Sequence, residues 1–289
     1  MSGLADIVAG QVELLATGFQ FTEGPLWHPD GYWLFVDTRP NLVFKLIPGG
    51  KPEIFREDTG RGNGQTFDIQ GRLMICEGYG RRLSRTEHDG SITPVADSYD
   101  GKRLNRPNDV VCRSDGTIYF TDPQPLVDPA DRELGSSMVF RVTPDGAIDV
   151  AVDDLSYPNG LAFSPDEHTF YLINHDVPKL VYAYDIDDAG GLSRKRVFVD
   201  MTDTPGEQMP DGMKVDTEGR CYITGPDGVW VLDPEGNHLG TIVVPELPTN
   251  VAFGGDDYGT MLIAAKTSIY SVHLKTTGIV PPGALARAR

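Results

Sequence analysis

Short apolar runs, each broken by a turn rich in Gly, Asp or Pro, recur along the whole chain. Reading forward from Asn108, an apolar stretch is followed by Asp115 and Gly116 and then by "TIYFTD". The same order returns from Glu23 ("EGPLWHPDGYWLFVD"), Asn63 ("NGQTFDIQGRLMICE") and Asn159 ("NGLAFSPDEHTFYLIN"). Asp211 ("DGMKVDTEGRCYIT") and Asn250 ("NVAFGGDDYGTMLIA") open two further copies. Each copy is an oxygen-bearing polar residue, a short strand, a hairpin turn of the Asp-Gly kind, and a second strand. The six starts lie 39 to 52 residues apart, room for about four short strands each, which is the content of a propeller blade.

The pattern therefore predicts an all-β chain, a six-bladed β-propeller, with residues 1–289 forming a single domain. A β-sandwich would not produce six equal units, and a parallel α/β fold needs amphipathic helices that the periodicity does not contain. The run "QVELLATGF", residues 11–19, is expected to supply the outer strand of the last blade. That closes the ring and leaves no sheet edge open.

In a propeller the innermost strands run along a central channel. Glu23, Asn63, Asn108, Asn159, Asp211 and Asn250 are therefore expected on one ring at its mouth. Turn capping accounts for an Asn or Asp at any one of these places; it does not account for an oxygen-bearing side chain at all six. Oxygen donors with two carboxylates, and no thiolate or imidazole, make the ligand set of a hard dication. Calcium fits best because it accepts amide oxygens at flexible coordination number; magnesium, manganese and zinc are the alternatives. Carboxylates converging without a cation would repel one another.

Composition narrows the class. With 33 Gly and 22 Pro among 289 residues, the chain favours turns over long helices. A net charge of −17 disfavours nucleic acid and anionic membrane surfaces as partners. "MSGLADIVAG" has neither the basic nor the apolar region of a secretory signal, and no run is long enough to span a membrane. Cys76, Cys112 and Cys221 are scattered through apolar runs, which fits buried thiols and a cytoplasmic location.

Four ordered motifs, "EGPLW", "NRPNDVV", "YPNGLAFS" and "PDGMKVD", resemble those of the gluconolactonase, senescence marker protein (regucalcin) and luciferin-regenerating enzyme family. "GRLMICEGYGRRLSRTE" and "GTIYFTDP" extend the resemblance over nearly the whole chain. It implies a divalent cation held by Glu23, Asn108, Asn159 and Asp211, with Asn63 and Asn250 lining the channel. It also implies hydrolysis of sugar lactones, with phosphoester or phosphofluoridate cleavage in some members. Arg106 is then expected to contact substrate hydroxyls. Gln124 stands where some relatives place an acidic substrate contact, which puts the usual sugar-acid lactone specificity in question.

On this reading the cation polarises a lactone carbonyl and Asp211 activates the attacking water, or attacks as a nucleophile itself. His175 in "LINHD" either lines the pocket and assists proton transfer or is plain packing. No nucleophile elbow, zinc-protease motif or phosphate loop competes. Two other readings stay open at this point. One is a hydrolase of non-sugar lactones, cyclic diketones or phosphotriesters; the other is a binding platform, against which Trp27, Trp33 and Trp230 read as core.

Overall fold

The structure is a computed structural model that describes residues 3–206 and 208–287. Its strands form six four-stranded antiparallel sheets, five of them built from strands in chain order. The sixth takes its outermost strand from the other end of the chain, where Glu13–Thr17 pairs with Ser268–His273. This is the six-bladed propeller that the repeats predict, fastened by the N-terminal run. The joint is bonded at its inner edge as well: the Thr249 hydroxyl donates to the Thr22 carbonyl at 2.7 Å.

The innermost strands are Thr22–His28, Gly62–Phe67, Val110–Cys112, Pro158–Phe163, Met213–Val215 and Pro248–Gly254, each in contact with the next around the ring. In the second strands Tyr32–Asp37, Leu73–Glu77, Ile118–Asp122 and Cys221–Gly225, every residue is buried. Both faces of each blade pack on a neighbour, so these strands read as continuous apolar runs rather than as alternation. Burying a side chain such as Leu34 or Phe35, both fully enclosed, contributes about 1.5–3 kcal/mol. Outer strands such as Glu53–Arg56 face solvent.

Hairpin turns follow the chemistry of the repeat. Gly31, Gly71, Gly116 and Gly219 all take positive φ, and in the fourth and sixth blades Glu167 (φ 58) and Tyr258 (φ 54) hold such a turn instead. The cysteines are free and buried. Trp27 and Trp33 are core, with ring centroids 4.7 Å apart. Trp230 departs from expectation: it is half-buried and stacks on His238. Among the described residues no helix is long and apolar enough to cross a membrane.

Two features were not legible in the repeats. A small hairpin, Ser98–Tyr99 with Lys102–Arg103, leads into the "LNRPN" loop of the third blade. The C-terminal segment crosses the far end of the channel. Thr276 bonds Asp216 and Ile279 bonds Val215, both at the close of the fifth inner strand. Gly283 then packs on the carbonyl of Asp68, just past the second inner strand. The segment borders a cavity of about 320 Å³ at that end, lined by inner-strand residues such as Leu26, Val110 and Val215.

Candidate active site at the channel mouth

The polar residue that opens each inner strand is set by two local devices. The first is a break in the ladder. Pairing of the first and second strands shifts register between Glu23 and Leu26, Gly62 and Gln65, Pro158 and Leu161, and Pro248 and Asn250. Such bulges turn a side chain out of the pleat and aim it along the channel. The second device is a glycine after the ring residue, which lets neighbouring backbones meet. Gly64 N donates to the Asn108 carbonyl at 2.8 Å and Gly160 N to the Asp211 carbonyl at 2.9 Å. A Cβ on Gly160 would stand 2.4 Å from that carbonyl oxygen.

A further set of residues holds the loops from behind, and it recurs at the end of the second strands. Asp37 accepts the backbone N–H groups of Gln20 and Phe21, and Asn174 accepts that of Tyr157. Asp122 accepts the Asn105 N–H at 2.7 Å. The signal was present in the sequence as the polar letter closing "FVD", "FTD" and "LIN". Burial pushes the Asp122 carboxyl up to about 7, against the opposing pull of the Asn105 N–H and the Arg81 guanidinium. A folded value above the unfolded one means that this group's contribution to stability is greatest at low pH and is lost as pH rises toward about 7. Asp122→Asn is therefore expected to gain in melting temperature over the parent progressively between about pH 4 and pH 7 and to hold that gain above it. A constant difference across paired thermal melts in that range would refute the assignment.

One cavity of about 450 Å³ collects Glu23, Asn63, Asn108, Asn159, Asp211, Arg106 and His175. Seven of the eight expected site residues thus share a pocket. Gln124 does not: its amide donates to the Leu134 carbonyl at 2.8 Å and its backbone N–H bonds Ser137. Its side chain serves its own loop. Asn250 lies beneath the pocket, its amide directed at Glu23 (3.3 Å) and at Asp109 (3.4 Å).

Asp109 was not among the expected ring residues. It is 2% exposed and stands in the third blade where glycine follows the ring residue in four of the others. Three carboxyls are thereby enclosed together. Burial and then the Asp211 charge hold the Glu23 carboxyl well above the usual range. Burial raises Asp211, which His175 partly offsets, and burial raises Asp109 against the pull of Lys214. The His175 Nδ1 lies 2.9 Å from the Pro210 carbonyl and 3.7 Å from Asp211 Oδ1. A carbonyl only accepts, so it is Nδ1 that donates to Pro210.

The donor set fits a hard dication. Clustered carboxylates raised by burial gain most from a positive charge among them. Among the described residues no three acid, histidine or cysteine side chains are gathered to hold an ion by themselves. The amides of Asn108 and Asn159 are needed to complete a set with Glu23 and Asp211.

Comparison with known proteins agrees with the fold. Residues 21–267 match the SMP-30/Gluconolactonase/LRE-like region. A gluconolactonase of Zymomonas mobilis is 31% identical, over 94% of this chain and 83% of its own length. A pentonolactonase of Haloferax volcanii is 31% identical, over 86% of this chain and 82% of its own. The solved structure of a gluconolactonase from Xanthomonas campestris superposes with a TM-score of 0.85 at 32% identity, covering 94% of this chain and 92% of that one. The ordered polar ring, the closed six-bladed sheet array and the extent of these matches have one conclusion: the chain belongs to the SMP-30/gluconolactonase/LRE-like family.

Proposed function

We propose that this protein hydrolyses a sugar lactone with the help of one divalent cation. The observation that carries the reading is the pocket itself. Two carboxylates, three amides, three arginines and a histidine converge in about 450 Å³ at one mouth of the channel. Relatives named gluconolactonase and pentonolactonase, each 31% identical over most of the chain, support the same substrate class.

Glu23, Asn108, Asn159 and Asp211 would hold the ion, calcium best by the balance of amide and carboxylate oxygens. Bound there, a dication supplies electrophilic polarisation of the ester carbonyl. Asp211, its side chain 17% exposed and facing the pocket, takes a proton from the attacking water. The new C–O bond forms at the carbonyl carbon, the ring C–O bond breaks, and the proton passes to the departing alkoxide. Arg106 and Asn63 orient the sugar hydroxyls. His175 sits beside Asp211, its Nδ1 3.7 Å from Oδ1, and helps hold that carboxylate in place.

A pH-stat assay of glucono- and pentonolactones tests the reading. Acid release is expected to stop with chelator and to return on adding calcium, magnesium, manganese or zinc, one of them best. No acceleration of any lactone under any of these ions would overturn it. Against the binding-platform alternative, Trp27 and Trp33 are enclosed in the core, while Trp230 is half-buried.

A further inference from the structure

The pocket holds both signs of charge. Its walls carry Glu23 and Asp211 together with Arg39, Arg61 and Arg106, of which Glu23 is buried and Arg39 and Arg61 are exposed. The chain has 42 acidic residues against 25 Lys and Arg, so arginines without acid partners are not what its composition favours. Yet among the described residues none of these three has a carboxylate within ion-pair distance. Their recorded partners are aromatic faces and one carbonyl. Arg61 and Arg106 lie over the Tyr79 ring at 4.0 and 4.4 Å, and Arg39 lies over Phe21 at 5.5 Å. Arg106 donates one bond to the Leu126 carbonyl, while its Nε is buried with no acceptor at all.

A neutral sugar lactone needs hydroxyl partners and gives three guanidinium groups nothing to neutralise. Arginine forks match carboxylate and phosphate oxygens in pairs, and an aromatic face keeps the fork flat and poised. We propose that the lactone taken by this pocket is anionic, bearing a carboxylate or phosphate remote from the reacting carbonyl. The anion sits on Arg61 and Arg106, with Arg39 adding charge at the rim, and the ester is thereby directed to the Asp211 end. In a chain of net charge −17, this local reversal of sign is also what draws an anion inward. The inference rests on the lactone-hydrolase reading and narrows its substrate.

The test compares kcat/KM for glucono-1,5-lactone, glucarolactone and 6-phosphogluconolactone at one fixed cation concentration. At least one charged lactone is expected to exceed the neutral one by about tenfold or more, with a preference that falls as salt rises. The carboxylate and phosphate arms identify which anion is read. Arg61→Gln should shrink the charged-to-neutral ratio by about tenfold, mainly through KM. Calorimetric titration of 1,5-anhydroglucitol 6-phosphate against 1,5-anhydroglucitol reads the same site without turnover, and tighter binding of the phosphate supports the proposal. Absence of all hydrolysis would sink the lactonase reading and leave the titration to decide the anion site. Equal kcat/KM for neutral and charged lactones, or equal binding of the two analogues, overturns the proposal.

Discussion

Asp211→Asn is expected to lower kcat/KM for lactone hydrolysis by about 10³-fold, within the range for loss of a positioned base. The substitution keeps shape and hydrogen-bonding reach but removes the proposed proton acceptor and one of the two carboxylates proposed to hold the cation. Its stability signature separates this from simple damage. In the parent, burial raises the Asp211 carboxyl and the Asp211 charge helps raise Glu23. A raised acid contributes most stability below its unfolded value, and that contribution is lost as pH rises through the folded value. With chelator present at neutral pH, the Asn variant should therefore melt above the parent. With saturating cation the order should reverse, because the parent alone gains the full binding free energy. Hydrolysis within about threefold of the parent would remove Asp211 from the chemistry.

The second large effect is expected at Gly24. Its φ is +47, and a Cβ there would stand 2.0 Å from the Asn63 carbonyl oxygen and 3.0 Å from its carbon. Its own carbonyl accepts the Gln65 amide at 2.6 Å. Gly24→Ala must therefore force apart the inner strands of the first two blades beside Glu23. Left-handed strain of about 1 kcal/mol and overpacking of about 1–3 kcal/mol combine to a loss of about 3 kcal/mol. Gly31→Ala is the control: its φ is +84, but nothing lies within 4 Å of the added carbon, so only the strain remains. Urea unfolding midpoints measure both. Equal losses would show that close approach at the ring contributes nothing.

Much of the site was legible because a propeller converts spacing into position. Glu23, Asn108, Asn159 and Asp211 are far apart in the chain, yet each opens a repeat, and equivalent places in repeats around an axis must meet. The same logic shows where the reading stopped. Asp109 is one of two departures from the glycine pattern, Val251 being the other, so periodicity gave it no weight. Gln124 was placed by its neighbours in "FTDPQ", but a loop side chain goes where its bonds are, and here those are Leu134 and Ser137. Arg61 and Tyr79 lie on connections between strands, whose course no repeat dictates.

The sequence alone determined the number of blades, the turn chemistry, the closing role of residues 11–19 and the six oxygen-bearing ring positions. All of these follow from local periodicity repeated six times, which leaves a chain with few other ways to bury its apolar strands. Only the tertiary structure decided how Asp109 joins Glu23 and Asp211, how the C-terminal segment packs across the far end, and which arginines face the pocket without acid partners. Those depend on distances between residues that no local pattern relates, and on how much water the packed blades leave around each charge.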